Sequence, residues 1–94
     1  MPDFEWDAAK DGVNLVKHGV GFEFAQLAFG SIARDRRRPH GGDEQRYFCF
    51  GRIEDAVMTV RFTWRNQKIR IFGAGYWRKG KTIYEKANGK IQQR

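Results

Sequence analysis

Between Glu44 and Lys81 the chain sets Arg46, Arg52, Arg61, Arg65, Arg70 and Arg78 among apolar and aromatic residues. A guanidinium stays charged at any working pH and presents a planar fork of donors, so it suits a crowded phosphate in a transition state and makes a poor base. Cationic groups beside aromatics are the equipment of metal-free RNA cleavage. That reaction needs a base for the 2′-hydroxyl, positive charge on the phosphate and a proton for the leaving 5′-oxygen. Arg46, Arg61 and Arg70 are the candidates for the charge. Proton transfer falls to His18, Lys81, Tyr76, Tyr84 or Glu44, and of these residue types only imidazole ordinarily titrates near neutrality. Arg52, Arg65, Tyr76, Trp77 and Arg78, with Arg36-Arg37-Arg38, are candidates for holding RNA, since bases stack on aromatic faces for about 1 to 3 kcal/mol each. Each residue also has a plainer reading. His18 would complement a helix dipole, Arg61 and Arg70 would be solvent-facing members of a half-exposed sheet, and Arg46 would pair with Glu44 or Asp43.

Other chemistries find little support. There is no glycine-rich phosphate loop with lysine and no paired-histidine helix motif, and two histidines with scattered carboxylates do not make a metal site. Ser31 is the only serine and has no triad setting. Neither a metal nor another cofactor is expected. Cys49 is the only cysteine, which rules out an intrachain disulfide and fits a reducing, cytoplasmic compartment. The start, Met1-Pro2-Asp3-Phe4-Glu5-Trp6-Asp7, is acidic without an apolar run, so neither a signal peptide nor a membrane span is expected. The formal net charge of +7 favours a polyanionic partner and says nothing about fold.

The elements that must position these groups follow from periodicity and breakers. The 94 residues are expected to form a single domain, residues 1–94. Phe4-Glu5-Trp6 alternates like a short strand, Asp7 stands where an N-cap belongs, and a helix from about Ala8 to His18 ends at Gly19. Ala9, Val13 and Val16 fall on one face of it. A second short helix spans Gly21 to Gly30, with Phe22, Ala25 and Phe29 on its core side. Ser31 to Asp35 reads as a strand that gives way to a mobile basic loop over 36–43. Further strands are expected at Gln45 to Arg52, Ala56 to Trp64 and Lys68 to Phe72, joined by tight hairpins at Glu54-Asp55 and Asn66-Gln67. Alternation puts Met58, Val60, Phe62 and Trp64 on one face and Thr59, Arg61 and Thr63 on the other. Gly73-Ala74-Gly75 should break the last strand, a helix should run from Trp77 to Ala87, and residues 89–94 should form a frayed tail. Strand, two helices, antiparallel strands and a final helix make an α+β domain with helices on one face.

Phe4-Glu5-Trp6-Asp7 with Lys10, then Asn14-Leu15-Val16-Lys17-His18-Gly19-Val20 and Phe22-Glu23 with Ala25 and Phe29, form a pattern that continues in Glu44-Gln45-Arg46-Tyr47, Gly51-Arg52, Val60-Arg61-Phe62-Thr63 and Ile69-Arg70-Ile71. In this order they resemble the BrnT toxins of bacterial type II toxin–antitoxin pairs, which share a RelE-like ribonuclease fold. The resemblance implies a short N-terminal strand and two helices packed on an antiparallel sheet with a C-terminal helix. It also implies a metal-independent ribonuclease that arrests translation. The implied partners are RNA and a BrnA-like antitoxin with a ribbon-helix-helix DNA-binding region, forming a hetero-oligomer with the toxin. One stretch departs: Phe72-Gly73-Ala74-Gly75 stands where those toxins carry isoleucine-serine-alanine-arginine, so Gly75 takes the place of the arginine.

Two readings follow. In the first, the chain cleaves RNA with Arg46, Arg61 and Arg70 as electrostatic stabilisers and His18, Lys81 or Tyr84 in proton transfer. In the second, the same scaffold is a catalytically degenerate binding protein for nucleic acid or an acidic partner, such as an inhibitor from a mobile element.

Overall fold

The computed structural model describes residues 3–30, 33–38 and 46–92, with the side chains of 30, 33–38 and 87–92 outside that description. In chain order the elements are β1 (Phe4–Trp6), α1 (Ala8–His18), α2 (Phe22–Ala25), a 3-10 helix (Gln26–Gly30), β2 (Ala33–Arg38), β3 (Arg46–Ile53), β4 (Ala56–Arg65), β5 (Lys68–Gly75) and α3 (Arg78–Gln92). They form the expected α+β arrangement. The strands make one five-stranded sheet in the order β1-β5-β4-β3-β2. Among the described residues only the β1–β5 pair is parallel.

Two turns set the sheet's register. Ile53 pairs with Ala56 and Arg65 with Lys68, leaving Glu54-Asp55 and Asn66-Gln67 as two-residue loops. Asn66 and Gln67 both have left-handed φ, 53° and 66°, as the mirror-image hairpin turn requires to match the twist of its strands.

One face carries the main core. Phe22 and Ala25 of α2, Ala28 of the 3-10 helix, Met58, Val60 and Phe62 of β4, and Ile69 and Ile71 of β5 are buried together, with Trp6 and Phe29 packed around them. The 3-10 helix lies flat on β3, because a Cβ on Gly51 would come 2.8 Å from the backbone carbon of Ala28.

The second face is not open, contrary to the expectation of helices on one side only. Helix α3 packs on it, burying Tyr84 against Phe50 and Val57, with Phe48 and Ile83 at the margin. Gly80 permits this close approach, since a Cβ there would collide with Thr59 Oγ1 and reach within 3.1 Å of Phe50. Thr59, which alternation puts on the face opposite the apolar residues, is therefore buried; Thr63 on the same face is buried too, while Trp64 is 46% exposed.

Other boundaries shift for physical reasons. Strand β2 continues through Arg36, Arg37 and Arg38, which pair with Phe48, Tyr47 and Arg46. The first part of the expected mobile loop is therefore sheet, because a neighbouring strand satisfies its backbone; residues 39–43 lie outside the described residues. Strand β5 runs through Gly73-Ala74-Gly75 for the same reason, with Gly73, Ala74 and Gly75 opposite Arg61, Val60 and Thr59. Helix α3 extends to Gln92, so 89–92 are helical rather than a tail.

Helix α1 begins and ends where its caps dictate. Asp7 accepts from the N–H groups of Ala9 and Lys10 at 2.8 and 3.2 Å, and Gly19, at φ 73°, donates back to Leu15. Its inward face is the unexpected one. Val13 and Val16 are 58% and 86% exposed, and the buried side chain is Asn14. Strand β1 ends opposite Ile71, and α1 continues along the same edge of β5. There the Asn14 amide nitrogen donates to the carbonyls of Val20 and Ala74, both at 2.9 Å, and its oxygen accepts from Ala74 N–H at 3.3 Å. An amide side chain thus substitutes for the missing strand partner, which a valine could not do.

Candidate active site

The second face of the sheet is left uncovered between α1 and α3, and the sheet is irregular there. Phe62 pairs with Ile71 and Arg61 with Gly73, so β5 carries one extra residue, Phe72, at a bulge. A bulge of this kind re-aims side chains. The guanidinium of Arg61 lies across Gly73, where a Cβ would come 2.7 Å from both Nε and Nη2. It sits 5.5 Å from the centroid of the Phe72 ring and 5.9 Å from that of Trp77. Arg46, at the start of β3, places its guanidinium 5.0 Å from the same Phe72 centroid. Two guanidinium charges over one aromatic ring benefit from its negative quadrupole.

Trp77 links this cluster to α1. Its ring stands edge-to-face with His18 at 5.0 Å and 69°. Gly75 makes room for the indole, since a Cβ there would fall 2.8 Å from the ring. The resulting cleft, about 270 Å³, is lined by Ala9, Lys10, Val13, Asn14, Lys17 and His18 of α1 and by Arg61 and Phe72 of the sheet. The Asn14 amide is committed to backbone. The remaining polar groups are cationic or imidazole, so the cleft suits an anionic ligand with a planar or apolar part, as a nucleotide has. Among the described residues no three His, Cys, Asp or Glu side chains gather as metal ligands would.

The candidate residues are sorted by this geometry. His18, Arg46, Arg61 and Trp77 converge. Arg70 lies to the side, paired with Glu5 at 3.3 Å with both side chains partly exposed. Lys81 is exposed in the first turn of α3, its backbone N–H bonded to the Trp77 carbonyl, and it does not line the cleft. Tyr84, on α3, is 5% exposed, packs against Phe50 and Val57 and does not line the cleft. Tyr76 is 48% exposed beside Trp77, and Arg78 is exposed at the start of α3. Arg52 lies at the far end of β3, its Nε donating to the Glu54 carbonyl at 3.2 Å, and Arg65 is exposed at the β4–β5 turn. Both are remote from the cleft along their strands. Glu44 and Asp43 are outside the described residues.

Lys10, Lys17 and Phe72 are cleft residues that the sequence reading did not single out as such. The signal for the lysines was present: Lys10, Asn14 and Lys17 recur at helical spacing and share a face. Asp7, beside this site, has its carboxyl held below the ordinary range, first by the N–H of Lys10 and then by that of Ala9, with smaller help from the charges of Lys10 and Arg70.

Comparison with known proteins fits this arrangement. The family described as ribonuclease toxin, BrnT, of type II toxin–antitoxin system matches residues 6–80. No curated protein matches the chain. The fold is similar to that of the crystal structure of the Brucella abortus ribonuclease toxin BrnT, with a TM-score of 0.61, 22% identity, and coverage of 82% of this chain and 97% of that one. The matched span, from Trp6 to Gly80, takes in strands β2 to β5 with the last residue of β1, both helices of the first half and every residue of the cleft, and the chain belongs to the BrnT family of ribonuclease toxins of type II toxin–antitoxin systems.

Proposed function

We propose that the cleft cleaves RNA without a metal ion, and that His18 and Arg61 carry the reaction. The observation behind this is that both lie against Trp77 and line one cleft with Lys10 and Lys17. Imidazole takes the proton of the 2′-hydroxyl as the 2′-oxygen attacks phosphorus. The bond to the 5′-oxygen breaks and that oxygen takes a proton from water, giving a 2′,3′-cyclic phosphate and a 5′-hydroxyl, after which His18 returns its proton to the hydroxide. Arg61, supported by Arg46, meets the negative charge that builds on the nonbridging oxygens, where a fixed donor is worth about 3 to 4 kcal/mol. Gly75, standing where the resemblance places an arginine, gives its space to Trp77. The cationic role therefore rests with Arg61 and Arg46.

Family membership implies an antitoxin and an RNA substrate. The finer reading is a BrnA-like antitoxin with a ribbon-helix-helix region that forms a hetero-oligomer with the toxin and blocks an otherwise translation-arresting activity in the cytoplasm. Among the described residues no helix is long and apolar enough to cross a membrane.

The test is incubation of the purified protein with RNA in EDTA. Cleavage with cyclic phosphate ends, lost in His18→Gln and in Arg61→Ala, is the expected outcome. Intact RNA in EDTA together with cleavage on adding a divalent ion would refute the metal-free mechanism.

A further inference from the structure

Directly opposed residues of an antiparallel pair lie on the same face of a sheet. Register therefore extends the cationic cluster well beyond the cleft. Arg36 of β2 is opposite Phe48 of β3, and Phe48 is opposite Arg61 of β4. One step along the strands, Arg38 is opposite Arg46. Arg36, Arg38, Arg46 and Arg61 thus occupy one strip of register positions running from the edge strand to the cleft, on the face that holds Phe72 and Trp77. Helix α3 lies to one side of the strip, over Phe50 and Val57. At about 4.8 Å between strands, β2 and β4 are roughly 10 Å apart, which is more than a single phosphate spans.

We propose that this strip is the path of single-stranded RNA into the cleft, with the β2 positions Arg36 and Arg38 forming a phosphate subsite remote from the scissile bond. The proposal rests on the ribonuclease reading of the cleft and extends it to the substrate's form. Single strands fit because the half-buried Trp77 ring beside the strip, with exposed Tyr76 preceding it in the chain, serves a ligand whose bases are free to stack. A duplex keeps its bases paired inward and has no use for them. An acidic protein would meet the charge of the strip and leave the rings unexplained.

The decisive measurement is binding of 2′-O-methyl oligonucleotides, which lack the attacking hydroxyl, across a range of salt. One probe is a trinucleotide that fills the cleft alone, and the other is long enough to cross the sheet. Arg36→Ala/Arg38→Ala is expected to weaken the long probe and make its log–log salt dependence shallower by about 1.4, two phosphates at about 0.7 each, while trinucleotide binding stays unchanged. Arg36→Lys/Arg38→Lys should keep the slope. An unchanged slope on the long probe overturns the proposal, as does equal weakening of both probes by a variant with intact circular dichroism. Loss confined to a polyglutamate competitor also overturns it, in favour of an acidic partner. Should the alanine pair unfold, Arg36→Gln/Arg38→Gln repeats the test with side chains of similar reach. Because the probes are not cleaved, failure of the path and failure of the ribonuclease reading are seen separately.

Discussion

At the residue scale, two glycines of the sheet illustrate how space becomes function. A methyl on Gly73 would press on the guanidinium of Arg61, while one on Gly51 would press on the backbone of Ala28. A guanidinium is the far end of a flexible side chain and can swing away, whereas the 3-10 helix over β3 cannot. Gly73→Ala should therefore leave the melting temperature nearly unchanged and lower the rate of RNA cleavage towards that of Arg61→Ala, itself expected to lose about 100- to 1,000-fold. Gly51→Ala should destabilise by about 1 to 3 kcal/mol through overpacking. Cleavage rate beside thermal unfolding checks both, and a Gly73→Ala enzyme with full activity would show that Arg61 does not need its place across β5. Arg61 and His18 were legible as candidates because their chemistry is written in their side chains. Gly73 was read only as a strand breaker and Gly75 as a breaker and a lost arginine, because what a glycine admits depends on which side chain crosses it.

At the element scale, α1 shows which parts of a helix are local. Its start and stop follow from Asp7 and Gly19, whose cap bonds reach only a few residues, and sequence specifies both. Its inward face follows from Asn14 meeting Ala74, 60 residues away, so the outward Val13 and Val16 misled the reading. Asn14→Leu should strand the N–H and carbonyl of Ala74, costing at least about 1 to 3 kcal/mol for a buried unsatisfied group, with denaturant unfolding as the measure. The cap has its own signature in pH. Because the folded state lowers the Asp7 pKa below its ordinary value, its contribution is fully present above that ordinary value and is lost as pH falls through the lower folded value. Asp7→Asn keeps a competent cap without the titration. Stability at neutral pH should change little, and the fall in stability on acidification should be smaller than in the parent chain. Urea unfolding at neutral and acid pH measures the difference.

At the scale of the whole molecule, the sheet separates two cores of unequal weight. Among the described residues the larger one, on the face of α2, holds eleven buried residues from Val20 to Ala74, and the smaller one under α3 holds Phe50, Val57 and Tyr84. The α+β class was legible because hairpin turns and capped helices punctuate the chain. The side on which α3 packs was not, since it docks through a closely approached Gly80 and Tyr84 rather than a broad apolar stripe. This asymmetry has a consequence for dynamics. Elements held by few buried contacts open at lower free energy than the core strands, so α3 should open without the sheet. The same opening would release Trp77, which precedes α3 and carries contacts to both His18 and Arg61. Truncating Tyr84→Ala should therefore remove amide protection from α3 while β4 and β5 keep theirs, and should lower RNA cleavage because Trp77 loses its support. Phe62→Ala, in the main core, should cost about 3 to 5 kcal/mol and reduce protection across the sheet. Hydrogen exchange resolved by segment distinguishes the two variants. Equal loss of protection in α3, β4 and β5 on truncating Tyr84 would mean that the two cores unfold as one, and that the cleft is held as rigidly as the sheet beneath it.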